Sequence, residues 1–111
     1  MSASDHLNGD QFMYHVSHDR NRESIATDGL SLRNSNDGKH IWLHPTLTAA
    51  QEHAASEQGN HYANGDPVHL DVYRANVQGY RTSKDPHTLA AGMGGRVVKK
   101  DIPPDRIERL S

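Results

Sequence analysis

The sequence predicts one α+β domain in which two short helices accompany a small β-sheet. Its 111 residues leave room for a single domain. Hydrophobic residues make up only 33% of the chain, so the core must be small. The predicted elements follow the order strand, helix, strand, helix and then strands, which is typical of an α+β fold with its helices in the first half of the chain.

The N-terminal third of the chain is predicted to contain a disordered tail, a strand and a helix. Residues 1–11 are polar and without periodicity, which predicts a disordered tail before a domain of residues 12–111. The apolar and aromatic content of residues 12–17 predicts the first strand. Residues 19–30 predict a short helix, and Gly29 supplies the left-handed position that ends it.

The middle of the chain alternates between strand and helix signals. Residues 40–43 predict a second strand, which Pro45 ends. The alanine content and spacing of residues 46–55 predict the second helix. Residues 67–74 alternate between apolar and polar side chains, so we expect a third strand with one face toward solvent.

The C-terminal third contains a loop and two strands. The composition of residues 79–95, which include several glycines, predicts a long loop. Residues 96–100 predict a fourth strand, and residues 102–110 lead through a proline pair into a short closing strand.

Composition and charge exclude several classes of protein. The 14 acidic and 12 basic residues argue against nucleic-acid binding by bulk electrostatics. The absence of cysteine excludes disulfides, thiolate zinc sites and thiol nucleophiles. No apolar run approaches the ~20 residues of a membrane span, and the N-terminus lacks the order of a signal peptide. We therefore expect a cytoplasmic monomer with no membrane association.

Nine histidines raise the question of a metal site. His40 and His44 are four residues apart, which on a strand is about 13 Å, too far for two ligands of one ion. We therefore expect no metal and interpret the histidines as scattered over the surface. Ser17, His44 and Asp71 could be combined into a catalytic triad, but a chain this rich in histidines and acids produces such combinations by chance.

Two pairs of polar and aromatic residues favour a ligand cleft. His15 and Ser17 share one face of the first strand, and Trp42 and His44 share one face of the second. The loop of residues 79–95 is long enough to cover them. The alternative interpretation is an edge strand with an ordinary polar face.

The order of five motifs resembles the compact ADP-ribosyltransferase fold. They are Y-H-V-S, S-I-A-T-D-G-L, I-W-L-H-P-T-L-T-A-A, P-V-H-L-D-V and D-I-P-P-D-R-I, and together they span residues 12–110. The similarity is to rifampin ADP-ribosyltransferases, to RNA 2′-phosphotransferases and to small actinobacterial and phage proteins that open Y-H-V-x-x-x-x-N-R-E-S-I. This resemblance implies an ADP-ribosyltransferase-like split β-sheet with two short helices.

The resemblance also implies a binding site for NAD, used as a substrate. His15 would hold the ribose, the Val16 backbone would meet the nicotinamide amide, and Ser17 would take a neighbouring ribose or phosphate contact. Trp42 stands where these transferases have a tyrosine that stacks on nicotinamide, and an indole can stack as well. Tyr14, adjacent to His15, belongs to the same set.

The remaining implied residues are charged or lie at the margin of that site. Arg20 and Arg22 would bind the diphosphate. His44, which shares a strand face with Trp42, belongs to the same binding set. Asp85 would supply the acid that stabilises positive charge on the ribose, because the fourth strand has no acid where these transferases carry a glutamate.

Three functions follow from the resemblance. The first is an NAD-binding mono-ADP-ribosyltransferase-like protein that transfers ADP-ribose to an unknown acceptor, which could be a protein, a nucleic acid or a small molecule. The second is an RNA 2′-phosphotransferase-like enzyme, although the balanced charge argues against an RNA groove. The third is a non-catalytic nucleotide-binding module, which the missing glutamate favours.

Overall fold

The computed structural model has two short helices and two small antiparallel sheets, as expected for an α+β fold. It describes residues 11–35, 38–57, 59–84 and 95–110. Three parts of the prediction lie outside the described residues: residues 1–10 of the predicted tail, most of the predicted loop of residues 79–95, and Asp85 within that loop. Gln11, which we assigned to the tail, is described, and its carbonyl accepts a hydrogen bond from the Val77 amide.

The first sheet has the strand order β1-β3-β6 and carries one wall of the candidate site. Its strands are β1 (Phe12–His18), β3 (Leu70–Asn76) and β6 (Ile107–Arg109). In the register of β1 and β3, His15 lies opposite Tyr73 and Ser17 lies opposite Asp71. Because opposed residues point to the same side of a sheet, these four side chains share one face.

The second sheet has the order β2-β5-β4. Its strands are β2 (Ile41–Leu43), β5 (Arg96–Val98) and β4 (Ser83–Lys84). The sheets meet where Tyr14 and His44 exchange backbone hydrogen bonds of 2.9 and 2.6 Å. The sequence did not predict β4, because a two-residue strand is defined by its partner rather than by its own composition.

Helix α1 (Arg22–Asp28) follows β1 after a single 3₁₀ turn at Asp19–Asn21. It begins later than predicted, because residues 19–21 form the 3₁₀ turn instead of the first turn of the α-helix. Gly29 ends it as predicted, with a φ of 74° and an amide that donates to the Ile25 carbonyl. The residue after it, Leu30, forms an antiparallel bridge with Ile102.

Helix α2 (Leu47–Ser56) confirms the second predicted helix. Thr46 caps its N-terminus, since the side-chain oxygen accepts a hydrogen bond from the Ala49 amide at 3.1 Å. The helix packs against β1 and β3 and buries Ala50 completely. Within the described ranges, neither helix is long enough to cross a bilayer, since α2 has only 10 residues.

The core corrects one prediction about the third strand. That strand begins at Leu70 rather than at residue 67, and the side expected to face solvent is buried at Asp71 and Tyr73. It is the central strand of its sheet, so both of its edges are covered, and α2 packs against it. Tyr73 belongs to the main hydrophobic cluster, whose other buried members are Ile25, Leu30, Ile41, Leu43, Ala75, Val77, Val98 and Ile102.

Candidate functional site

A cavity of about 290 Å³ opens between β1, α1 and β2. Residues 15–18 of β1 form one side, and Trp42 and His44 approach from β2 and the residue that follows it. His53 of α2 closes one end. The volume is at the lower end of the range for small-molecule sites, about 300–1,000 Å³.

His15 is held in one tautomer by the backbone. Its Nδ1 lies 2.8 Å from the Trp42 carbonyl oxygen, which can only accept, so Nδ1 carries the proton. Burial lowers the pKa of His15; the hydrogen bond to Trp42 opposes this shift, and the charges of His44 and His53 add to it. The ring is therefore neutral at pH 7, and its Nε2 is a lone-pair acceptor without a hydrogen-bond partner among the described residues.

Trp42 lies beside His15 because of the alternation along β2. Ile41 and Leu43 point into the core and are almost fully buried, so the indole points to the other side of the strand. It remains half-buried and lines the cavity. The ring centroids of Trp42 and His40 are 5.8 Å apart, in a tilted arrangement.

His44 and His53 form an imidazole pair at the cavity. His44 Nε2 and His53 Nδ1 are 2.9 Å apart, so one ring donates and the other accepts. Burial and the nearby His53 lower the pKa of His44, and its Nδ1 is buried without a hydrogen-bond partner among the described residues. The expectation of histidines scattered over the surface is therefore wrong for His15, His44 and His53, which the fold brings together.

Sequence reasoning missed His53, because the sequence does not show which face of α2 is buried. Ala50 and His53 are three residues apart on α2 and so share one face of the helix. Ala50 is completely buried, and that face is the one turned toward β1 and β3. Despite the histidines, no group of three or more ligand-type side chains among the described residues is arranged to hold a metal ion.

Ser17 and Val16 line the cavity next to His15. The Ser17 hydroxyl accepts a hydrogen bond of 3.0 Å from the Asn21 side-chain amide. Asn21 lies in the turn between β1 and α1 and also lines the cavity, so it joins the site although the sequence analysis did not select it.

Three of the expected NAD-binding residues are not among those that line the cavity. Tyr14 contributes its backbone to the bridge with His44, and its side chain lies on the other face of β1 from His15. The Arg20 guanidinium lies 3.4 Å from the centre of the Tyr62 ring. Arg22 is turned toward Asp71. Asp85, the expected acid, lies outside the described residues.

Asp71 is a buried carboxylate held by Arg22. Arg22 donates from Nε to Oδ2 at 2.9 Å and from Nη2 to Oδ1 at 2.8 Å, the two-point geometry typical of a strong ion pair. Burial opposes ionisation, but Arg22, with Arg109 and His69 nearby, holds the pKa of Asp71 below its usual value. Burial and the Asp71 charge raise the pKa of Tyr73 to about 12.

The described lining of the cavity contains histidine, serine, asparagine and apolar side chains and no aspartate, glutamate, lysine or arginine. It can therefore hydrogen-bond hydroxyl and amide groups and stack on an aromatic ring, without presenting a fixed charge. A comparison with models of known protein families finds no match to this chain, and a comparison with curated proteins finds none either.

Proposed function

We propose that the cavity binds the nicotinamide riboside part of NAD and that the protein transfers ADP-ribose to an acceptor. The observation that supports this most directly is the neutral His15, with its Nε2 available as an acceptor, in the same cavity as the indole of Trp42. A ribose hydroxyl is the donor that such a nitrogen accepts from, and a nicotinamide ring is a flat partner for an indole.

The size and the polarity of the cavity support the same ligand. A volume of about 290 Å³ suits a single ring and its sugar rather than a whole dinucleotide, so the adenosine part would lie outside. Ser17 and Asn21 add polar groups beside His15 for the remaining sugar hydroxyls.

The transfer breaks the bond between ribose C1′ and the nicotinamide nitrogen. Nicotinamide leaves with the electron pair, the acceptor forms the new bond to C1′, and the acceptor's proton passes to a base. The chain contributes by holding the sugar and the ring in the geometry that favours departure of nicotinamide. Asp85 is our proposed group for stabilising positive charge on the ribose.

A second function, that of a non-catalytic nucleotide-binding module, is favoured by one observation. The described residues that line the cavity include no carboxylate to stabilise the positive charge that develops on the ribose. The two functions share a ligand and differ in whether nicotinamide is released.

One experiment separates these functions. NAD is added to the wild-type protein, to His15→Ala and to the control His61→Ala, whose side chain is exposed and outside the cavity. Melting temperature and nicotinamide release are then measured. We expect stabilisation of about 2.7 kcal/mol at 100 times the dissociation constant, with release, in the wild type and in the control. Both effects should be lost in His15→Ala.

The other possible results of the NAD experiment point to different conclusions about function. Stabilisation without release would indicate either the binding module or a transferase whose acceptor is missing from the assay. Asp85→Ala should keep the thermal shift and lose release if Asp85 is the acid. The absence of any shift in the wild type at millimolar NAD would overturn the proposal.

A further inference from the structure

A group of basic side chains surrounds Asp71 at the end of the first sheet. The Asp71 side chain is 0% exposed, while those of Arg22, Arg109 and His69 are 45%, 46% and 62% exposed. Arg109 Nη1 lies 4.0 Å and His69 Nε2 lies 3.6 Å from Asp71 Oδ1. These four residues form what we call the Asp71 basic cluster.

The hydrogen bonds of Asp71 do not need the second arginine. Arg22 already donates to both carboxylate oxygens, and Tyr73 donates to Oδ2 at 3.4 Å. Arg109 forms no hydrogen bond with any described residue, and its side chain is about half-exposed. Arg22 likewise keeps its Nη1 group, because only Nε and Nη2 contact Asp71.

Without the neighbouring Asp19 carboxylate, the charges of the Asp71 basic cluster do not cancel. Two guanidinium groups face one carboxylate, and His69 adds a further positive charge when it is protonated. The Asp19 carboxylate also acts on Arg22 and accepts a hydrogen bond from Tyr62. Glu108 pairs instead with Arg74, which lies on the other face of the sheet.

We propose that the Asp71 basic cluster binds a phosphate group through Arg22, Arg109 and His69. Guanidinium groups match the geometry of phosphate oxygens, and a guanidinium held in place by a buried carboxylate loses little freedom on binding. Ser17, which lies opposite Asp71 in the sheet, lines the cavity, so the cluster adjoins the cavity. Resting on the proposed function, we assign this phosphate to a nucleotide, either to the NAD diphosphate or to a phosphorylated acceptor.

The test is a titration with inorganic pyrophosphate at constant ionic strength, followed by calorimetry and by the amide NMR signals of β3 and β6. The variants are Arg109→Gln and the control Arg74→Gln, which removes the same charge from the opposite face of the sheet. We expect Arg109→Gln to weaken binding about tenfold or more, the loss of one charge-assisted hydrogen bond. Arg74→Gln should change it less than about twofold, as expected for a screened surface charge.

Two results would overturn the proposal. One is that the wild-type protein fails to bind pyrophosphate at about 10 mM, well above the range of weak specific ligands. The other is that both variants weaken binding equally, which would indicate only the general charge of the protein. Arg109 is half-exposed, so its variant is expected to fold, and its melting temperature checks this.

A competition with NAD identifies the source of the phosphate. If saturating NAD displaces pyrophosphate, the cluster binds the diphosphate of NAD. If both bind together, it binds a phosphate on the acceptor. If NAD does not bind while pyrophosphate binds in an Arg109-dependent manner, the proposed function fails and the phosphate site stands.

Discussion

At the scale of single residues, the ion pair of Asp71 and Arg22 fixes the start of α1 to the first sheet. It joins positions 49 residues apart in the chain through two hydrogen bonds. Removing one partner of such a pair leaves the other without a counter-charge, which is costly in a buried setting. Arg22 is half-exposed and recovers part of its hydration, so the loss lies at the lower end of the usual range.

We predict that Asp71→Asn lowers the free energy of unfolding by about 3 kcal/mol at pH 7. Urea denaturation measures this, with Glu52→Gln on the exposed side of α2 as the control. The folded pKa of Asp71 lies below the ordinary 3.8, so its contribution is full at neutral pH. It is lost as the pH falls through the folded pKa, and the difference between the wild type and the variant should shrink there. A constant difference at all pH values would contradict an electrostatic role.

The ion pair of Asp71 and Arg22 also shows what the sequence does not predict about single residues. Alternation along residues 67–74 correctly places Asp71 and Tyr73 on one face, but it does not say which face is buried. Similarly, Arg22 follows the first strand as expected, but the direction of its side chain depends on a carboxylate that is distant in the chain. Which face of the third strand is buried and where the Arg22 side chain points both depend on how the strands pair in the sheet.

At the scale of elements, the exit from α1 is the most constrained turn. Gly29 has a φ of 74° and a ψ of −155°, a region of backbone space that is essentially restricted to glycine. A Cβ atom there would overlap the Ile102 carbonyl oxygen and lie 2.8 Å from both Pro103 C and Pro104 N. These neighbours are backbone atoms, so no side-chain rotation can make room.

We predict that Gly29→Ala destabilises the protein by about 3 kcal/mol or more, from backbone strain of about 1–3 and overlap of about 1–3 kcal/mol. Gly79→Ala is the matched control, because Gly79 also has a positive φ, of 83°, but a Cβ there meets nothing within 4 Å. The control should cost only about 1 kcal/mol. Thermal or urea unfolding of both variants measures the difference, and equal costs would show that the contact with the proline segment is unimportant.

Elements with strong local signals were predictable from the sequence. Gly29 ends α1, and the alanine-rich segment after Pro45 forms α2, which Thr46 caps. Strand alternation also placed His15 and Ser17 together on the face that lines the cavity. The approach of His53 was not predicted, because it depends on how α2 is rotated against the sheet.

At the scale of the whole molecule, the cavity brings together three imidazoles, and two of them, His15 and His44, have a lowered pKa. His15, His44 and His53 lie close enough for their charges to interact, and the described lining has no carboxylate to balance them. Burial lowers the pKa of His15 and of His44. The unfolded chain therefore takes up protons near pH 6.5 that the folded protein does not.

We predict that acid destabilises the protein between about pH 7 and pH 5, because the unfolded state binds more protons in this window. Each of the two histidines contributes up to about 1.4 kcal/mol per pH unit, and their contribution is absent well above pH 6.5. Urea unfolding at several pH values measures the slope. A His15→Asn, His44→Asn double variant should flatten it, and His61→Asn should leave it unchanged. If the free energy of unfolding of the wild type did not change with pH in this window, the lowered pKa values of His15 and His44 would be contradicted.

The bridge between Leu30 and Ile102 has a consequence for the order in which the molecule is made. The residues that line the cavity in the described part of the chain leave the ribosome early, since His53 is the last of them. The segment after α1, however, pairs with Ile102, and Gly29 packs against the prolines that follow it. Contacts between such distant positions form late. The proposed site is therefore complete only after Ile102 has emerged, and a nascent chain that stops before this residue carries all the described residues of the cavity wall without the bridge that holds the exit of α1 in place.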